Sequence, residues 1–433
     1  MTISKTLAVF TLLTLAAGGH CAELNHDWSR FRGPNGTGIS PAKTVPAKWT
    51  EDDYNWVLKL PGHGHGSPVI VGERLYLVSG KKKSAERIVV CVSTKSGKIL
   101  WKKPFKSKRH RLHPANNYGS STPVADEQGV IVTWATPAQL MLKALTKEGD
   151  EVWSRDLGPY KAINGAGTSP IIVDDLVIIT NIQMDPAVFI RAGVLPKDYP
   201  DAKPLQSYLV AVDRKTGKTR WKLKRRSFLA GYTTPCIRPL ANGAKELVVI
   251  DSYYGITGVN PKTGKVNWQT NKLLHSRTVA SPVLAGDLIL GSYGRGIAAE
   301  KMHAVLPGGK GKKPKVVFTV RRSAPLVPTP IVKDGLIFLW ADNGVISCVK
   351  ADNGEQVWRR RVGGNYYSSP VWVDRRLYNV QRNGDVVVVA AEKKFRKIAR
   401  VPLGERSYAT PAVANGVMYL RTETKLMSLG GKK

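Results

Sequence analysis

The segment Ala211–Trp221, AVDRKTGKTRW, is the unit that this chain repeats. The alternation of Ala211 and Asp213 predicts a pleated strand, and Gly217 supplies the positive φ that a tight turn requires. The Asp213 carboxylate is expected to accept backbone N–H bonds within that turn. Trp221 then falls on the following strand, so the unit predicts a β-hairpin.

Two spacings recur along the chain. A glycine precedes a tryptophan by four residues in five places: Gly97 and Trp101, Gly149 and Trp153, Gly217 and Trp221, Gly264 and Trp268, Gly354 and Trp358. A Ser-Pro or Thr-Pro pair starts eight apolar segments, at Pro68, Pro123, Pro170, Pro235, Pro282, Pro330, Pro370 and Pro411. Proline is tolerated at the first residue of a strand. Intervals of 40 to 65 residues between these prolines predict a propeller or a solenoid.

The two ends of the chain favour a closed ring. Trp56 lies twelve residues before Pro68, as Trp358 lies before Pro370, but no earlier repeat contains it. The last repeat, Thr410–Leu429, has room for only three strands. We therefore expect an all-β, eight-bladed β-propeller of four-stranded antiparallel blades, whose N-terminal strand joins the C-terminal blade and removes the open edges.

Residues 1–22 have the pattern of a secretory signal peptide, with Lys5, an apolar run and Cys21-Ala22. The run is short for a transmembrane anchor, which is the alternative. The expected location is thus the periplasm or cell envelope. Cys21 is a candidate lipid anchor, although His20 fits a lipidation motif poorly. Residues 23–54 are expected to form an arm, and residues 55–430 the propeller.

The chain has 66 Lys and Arg against 32 Asp and Glu, a net charge of +34, which attracts anions. Composition alone does not distinguish anion binding from general solubility as the reason for this charge. In a propeller, loops that join one blade to the next gather at one mouth of the channel, and in this chain these loops are basic. Arginine forks with tyrosines suit carboxylate, sulfate or phosphate groups. The candidate binding residues are Arg109, Arg111, His113, Lys161, Arg225, Arg226, Arg277, Arg321, Arg322, Arg360, Tyr366 and Arg406. Solvation alone is the competing explanation for these charges.

Three other segments have simpler interpretations. Residues 28–40, WSRFRGPNGTGIS, are expected to contain no strand and to pack Trp28 and Phe31 against the propeller. His63 and His65 are interpreted as loop residues rather than metal ligands, since no third ligand is near in sequence. The insert 181–207 is long enough to be a lid, a partner contact or a short packed helix.

The hairpin unit resembles the tryptophan-docking motif of the pyrroloquinoline-quinone (PQQ) dehydrogenase-like propellers, through Ala211, Asp213, Thr216, Gly217 and Trp221. The whole chain resembles exported PQQ-like propeller proteins, and its repeat type is similar to that of the propeller lipoprotein of the outer-membrane β-barrel assembly machinery. The resemblance implies the fold. The dehydrogenases also have adjacent cysteines, a bound calcium or lanthanide and a catalytic Asp.

This chain has no adjacent cysteines, and Cys91, Cys236 and Cys348 are expected to be unpaired. We therefore expect no cofactor, no catalytic residue and no metal ligand. The expected function is a non-catalytic binding or scaffold module for an envelope protein or an anionic polysaccharide. Export argues against a physiological nucleic-acid partner. The alternative is a quinoprotein oxidoreductase, using PQQ with calcium, or another degenerate propeller enzyme.

Overall fold

The computed structural model describes residues 27–191, 206–296, 298–309 and 311–431. The expected signal peptide, Cys21 and part of the insert lie outside these residues. Eight β-sheets form a propeller, which confirms the predicted fold class. No helix in the described ranges is long and apolar enough to cross a membrane.

Each blade has four antiparallel strands, numbered from the channel outward. Blades 1 to 4 comprise β3 (Val69–Val71), β4 (Arg74–Gly80), β5 (Arg87–Ser93), β6 (Ile99–Phe105); β7 (Val124–Asp126), β8 (Gly129–Ala135), β9 (Leu140–Leu145), β10 (Glu151–Asp156); β11 (Ile171–Val173), β12 (Leu176–Asn181), β13 (Ser207–Asp213), β14 (Thr219–Arg225); β15 (Cys236–Pro239), β16 (Lys245–Asp251), β17 (Gly255–Val259), β18 (Val266–Gln269).

Blades 5 to 8 comprise β19 (Val283–Ala285), β20 (Leu288–Arg295), β21 (Ala298–Leu306), β22 (Lys315–Val320); β23 (Ile331–Lys333), β24 (Leu336–Trp340), β25 (Val345–Lys350), β26 (Gln356–Arg361); β27 (Val371–Val373), β28 (Arg376–Val380), β29 (Asp385–Ala390), β30 (Lys397–Pro402); β31 (Ala412–Ala414), β32 (Val417–Arg421), β33 (Lys425–Gly430), β2 (Tyr54–Lys59). The other elements are β1 (Ile39–Ser40), the 3-10 helices Pro34–Gly36 and Glu51–Asp53, and α1 (Pro186–Arg191).

The ring closes as predicted. Strand β2 pairs antiparallel with β33, and Trp56 lies opposite Ser428. The ends of the propeller chain therefore share one sheet, and β2 supplies the fourth, outermost strand of blade 8.

A β-bulge lies in the outermost strand of every blade, one residue before the position that docks on the next blade. In blade 3, for example, Ala211 pairs with Trp221 and Val212 with Thr219, so Arg220 is the extra residue. The same register places Phe318 in blade 5 and Ala399 in blade 7 at the tryptophan position. The repeat is therefore complete in its backbone, although two blades lack the tryptophan.

The docking contact explains the glycine in the motif. The Trp153 Nε1–H donates to the Arg214 carbonyl of the next blade at 3.0 Å. Gly217 has a φ of 69°, and a Cβ added there would lie 2.7 Å from the Trp153 ring. Asp213 accepts the backbone N–H bonds of Lys215 and Thr216, as predicted, and these bonds hold its pKa below the usual value. Any side chain at Gly217 would therefore disturb both the turn and the contact.

Blade 4 departs from this pattern. The indole N–H of Trp268 is bonded to Glu246 of its own blade at 3.1 Å, and does not reach the carbonyl of a turn in blade 5. The corresponding turn of blade 5 is the longer 307–314 segment, which lies between β21 and β22.

The N-terminal arm fills the channel. Trp28 pairs with Ile70 of blade 1, and β1 pairs parallel with β27 of blade 7. Between these points the Arg32 guanidinium donates to the carbonyls of Pro330 and Pro370, at 2.8 and 2.9 Å. The prediction that 28–40 contains no strand is wrong. Ile39 and Ser40 form β1, which pairs with the channel-side edge of β27, where no other strand of the blade lies.

Candidate functional site

The loops that join each outermost strand to the next innermost strand lie on one face of the ring, which we call the mouth face. Since adjacent strands are antiparallel, the hairpin turns between the first and second and between the third and fourth strands lie on the opposite face, which we call the turn face.

A ring of hydroxyl groups surrounds the channel at the mouth face. Seven of the eight Ser and Thr residues that precede a strand-starting proline, all except Thr234, accept a hydrogen bond from the backbone N–H of the matching residue in the blade before. Seven such bonds, of 2.9 to 3.1 Å, join neighbouring blades in the described residues: Ser67 to Thr122, Thr122 to Ser169, Thr234 to Ser281, Ser281 to Thr329, Thr329 to Ser369, Ser369 to Thr410 and Thr410 to Ser67. The Ser/Thr-Pro repeat thus has a side-chain role as well as a backbone role.

Above this ring a cavity of about 400 Å³ opens on the mouth face. We call it the cup, because the arm occupies the channel and Phe31 of the arm lines the cavity. Beside the ring hydroxyls, its polar and aromatic lining consists of His65, His113, Asn116, Ser120, Asn164, Tyr232, Arg277, Tyr367 and Tyr408. No carboxylate is among the described residues that line it.

Three rings in tilted contact form one wall of the cup. His65 and Tyr408 lie 4.2 Å apart between ring centroids, and Tyr408 and Tyr367 lie 5.7 Å apart. The Arg382 guanidinium lies 4.7 Å from the Tyr367 centroid, a cation–π distance. The Arg382 Nε is buried and has no hydrogen-bond partner in the described residues. This wall therefore presents aromatic surface backed by a positive charge.

Positive charge also converges from the other side. Partial burial, then the nearby charges of Arg277 and Arg382, hold the pKa of His113 below its usual value. The Arg277 side chain makes no hydrogen bond or ion pair with a described residue. The cup is consequently suited to an anionic or strongly hydrogen-bonding group rather than to a cation.

Glu423 lies next to both loop histidines. Its carboxylate oxygens are 3.9 Å from His63 Nδ1 and 3.8 Å from His65 Nε2. Burial lowers the pKa of His65, and its contact with Glu423 acts in the opposite direction. No group of three or more side chains suited to a metal ion occurs in the described part of the chain.

Nine of the twelve predicted site residues separate into three groups. His113 and Arg277 line the cup. Six others are exposed on the mouth face around it: Arg109, Arg111, Arg226, Arg321, Arg322 and Arg406. Lys161 is half-buried in the loop after blade 2.

The structure corrects three of these predictions. Arg225 is 3% exposed, and its guanidinium binds Asp251 and Thr257, so it is not free to bind a ligand. Tyr366 is fully buried beside Trp340. Arg360 lies on β26 instead of in a loop, because that strand extends three residues past Trp358.

Sequence reasoning missed the roles of the hydroxyl ring, Phe31, His65 and Arg382. In the sequence the Ser and Thr residues stand out only as partners of proline, and their repetition is the signal that could have revealed the ring. Arg382 lies in the loop between β28 and β29 of blade 7. This loop is outside both recurring spacings, so the sequence does not relate Arg382 to Tyr408.

The profile of the family described as outer membrane protein assembly factor BamB matches residues 35–195, 205–308 and 317–429. These ranges cover most of the chain. The chain belongs to this family. BamB of Moranella endobia (strain PCIT) is 21% identical over 280 residues, which are 63% of this chain and 66% of that protein, just under two thirds of its length.

Two solved structures share the fold. BamB from Moraxella catarrhalis superposes with a TM-score of 0.60 at 12% identity, over 87% of this chain and 98% of that chain. Quinohemoprotein alcohol dehydrogenase ADHIIG from Pseudomonas putida HK5 superposes with a TM-score of 0.54 at 12% identity, over 94% of this chain and 81% of that chain. Since both identities are low, these likenesses concern the propeller alone.

Proposed function

We propose that this protein is a non-catalytic scaffold of the bacterial envelope, which holds an acidic protein partner at its mouth face. Membership of an assembly-factor family supports a role in binding proteins. Export, by way of the expected signal peptide, would place that role in the periplasm, with Cys21 as a candidate lipid anchor.

One observation carries the proposal: the scarcity of carboxylates in the inter-blade loops of the mouth face. The eight inter-blade loops, which are 60–68, 106–123, 157–170, 226–235, 270–282, 321–330, 362–370 and 403–411, contain one carboxylate, Glu405. They contain eleven Lys and Arg: Lys106, Lys108, Arg109, Arg111, Lys161, Arg226, Lys272, Arg277, Arg321, Arg322 and Arg406. Such a face attracts an acidic surface.

On the turn face, hairpin carboxylates pair with some of the basic residues, although others, such as Lys215 and Lys262, have no ion pair with a described residue. Lys95 pairs with Glu73 at 2.5 Å, Lys147 with Glu127 at 2.8 Å and Arg220 with Asp175 at 3.1 Å. General solubility would not require the two faces to differ. The difference therefore favours a binding role for the mouth face.

The test compares two double charge reversals. Arg321→Glu with Arg322→Glu removes exposed mouth charges, and Lys215→Glu with Lys262→Glu makes the same net change on the turn face. Envelope proteins captured by the wild type and by the turn-face variant should be lost from the mouth-face variant, and capture should weaken as salt rises. Equal capture by all three proteins would overturn the proposal.

An anionic polysaccharide is the second candidate, because the same basic residues would attract it. Heparin serves as the probe in the salt series. If the mouth-face variant loses heparin binding but retains every protein partner, the polymer is the ligand and the protein-scaffold proposal is wrong.

The quinoprotein alternative is tested by ligand-induced stabilisation. The cysteines that would supply an adjacent pair are instead single, buried and in different blades: Cys91, Cys236 and Cys348. We expect PQQ with calcium to leave the melting temperature unchanged, since a ligand of the folded state must raise it. A shift that saturates with PQQ would contradict the non-catalytic assignment.

A further inference from the structure

Blade 5 has an unusually apolar outer edge. Seven large apolar side chains are exposed in the described residues, and three of them belong to this blade: Leu306 (42%), Val316 (38%) and Val317 (44%). Val316 and Val317 lie on β22, and Leu306 ends the neighbouring strand β21. Scattered exposed apolar residues need no explanation, but a cluster on one edge does.

The other long outermost strands carry charges or proline that discourage pairing with another chain. Examples are Lys102, Lys103 and Pro104 in β6, Arg359 to Arg361 in β26, and Arg400 with Pro402 in β30. Such residues protect exposed edges. Strand β22, KVVFTV, has no charge after Lys315. Apart from the β-bulge at Val317, which every outermost strand shares at this position, no charge or proline beyond Lys315 opposes pairing with another strand.

The edge also adjoins space for side chains. A groove of about 880 Å³ between blades 5 and 6 has an apolar part, formed by Leu306, Val317, Leu336 and Val357. Its charged lining consists of Asp287, Asp334, Asp352, Lys350 and Lys393. Phe318 occupies the docking position against Gly354.

The chemistry of the adjacent turn indicates the charge of an occupant. Lys312, Lys313 and Lys315 are exposed at the start of β22 and form no ion pair with a described residue. An acidic residue at the end of an added strand would meet them, whereas a basic one would be repelled.

We propose that blade 5 binds an extended polypeptide segment, which adds a fifth strand to β22. Alternate N–H and C=O groups of β22 point away from β21 and bond to the segment, its apolar side chains contact Val316, Val317 and the groove, and a terminal acidic residue contacts Lys312 and Lys313. This site is independent of the mouth face.

The probe is the labelled peptide Ac-EVTVTVTE-NH2, which carries an acid at each end because the strand direction is not specified. We expect saturable binding by fluorescence anisotropy and new hydrogen-exchange protection in β22. The Val316→Lys/Val317→Lys variant should bind at least five-fold more weakly. The control Val152→Lys, on β10, replaces an equally exposed valine and should bind like the wild type.

A second peptide has proline at its central valine and cannot complete the ladder. Equal binding of both peptides, or no saturable binding of the first, would overturn the proposal. The proposal would also be overturned if Val316→Lys/Val317→Lys kept the wild-type affinity while Val152→Lys bound more weakly. If the wild type dimerises and only Val316→Lys/Val317→Lys is monomeric, the edge binds a second copy and the proposed occupant is wrong.

Discussion

At the residue scale, the glycine of a docking turn has two functions that can be separated. Gly217 adopts a positive φ and also contacts Trp153, whereas Gly286 adopts a φ of 58° with no atom within 4 Å of an added Cβ. The two glycines therefore allow backbone strain to be distinguished from the docking contact.

We expect Gly286→Ala to lower the free energy of unfolding by about 1 kcal/mol, the cost of a left-handed backbone. Gly217→Ala should lower it by about 3 kcal/mol, because the methyl group also displaces the Trp153 ring. Denaturant unfolding measures both changes. Equal losses in the two variants would mean that the docking contact contributes little.

His303 is expected to make stability depend on pH. It is 8% exposed, and burial lowers its pKa to about 4 from 6.5. Between these values the unfolded chain binds more protons, so this stability is complete above pH 6.5 and is lost as the pH falls towards 4. Over this window the wild type should lose on the order of 2 kcal/mol of unfolding free energy, and His303→Gln should not.

Asp342 acts in the opposite sense. Burial raises its pKa to about 6, so its contribution to the free energy of unfolding is lost as the pH rises. The comparison is therefore made between His303→Gln and the wild type at each pH. Parallel stability curves from about pH 7 to about pH 4 would contradict the prediction for His303.

At the scale of single elements, the arm behaves as part of the core. The buried Arg32 guanidinium donates only to carbonyl oxygens, from Gly36, Thr37, Pro330 and Pro370. Burial lowers its pKa to about 9, which leaves it charged at neutral pH. It therefore links the arm to blades 6 and 7.

Replacing Arg32 with Met leaves these buried carbonyls without a donor. We expect Arg32→Met to lower the free energy of unfolding by about 3 kcal/mol or more. Arg375→Met, at an exposed position, is the control and should change it little. A small effect at Arg32 would mean that water replaces the guanidinium.

The blade repeat was predictable from sequence because each unit carries its own signal. Gly217 and Trp221 lie within one hairpin, and Trp56 matched the spacing of a complete blade. The arm could not be predicted in this way, since the partners of Arg32 lie about 300 residues away. Arg225 was wrongly predicted to be a binding residue for the same reason, because its partner, Asp251, belongs to the next blade.

At the scale of the whole molecule, stability should depend on the closure between β2 and β33. Lys59 and Lys425 are exposed and paired in register across this junction. Two cysteines there can form a disulfide only if the two ends of the propeller chain share a sheet.

We expect Lys59→Cys/Lys425→Cys to oxidise readily and to gain up to about 5 kcal/mol in unfolding free energy, because the closed loop is very long. The reduced protein and Lys59→Ser/Lys425→Ser are the controls, compared by thermal unfolding. Failure to form the disulfide under oxidising conditions would argue against the closed ring.

The occupied channel has a kinetic consequence for any guest of the cup. Since the arm bars passage along the axis, a bound molecule must depart through the same opening by which it arrived. Its residence time is then governed by the rim, so substitutions at Arg277 or Tyr408 should alter dissociation rates, while substitutions on the turn face leave them unchanged.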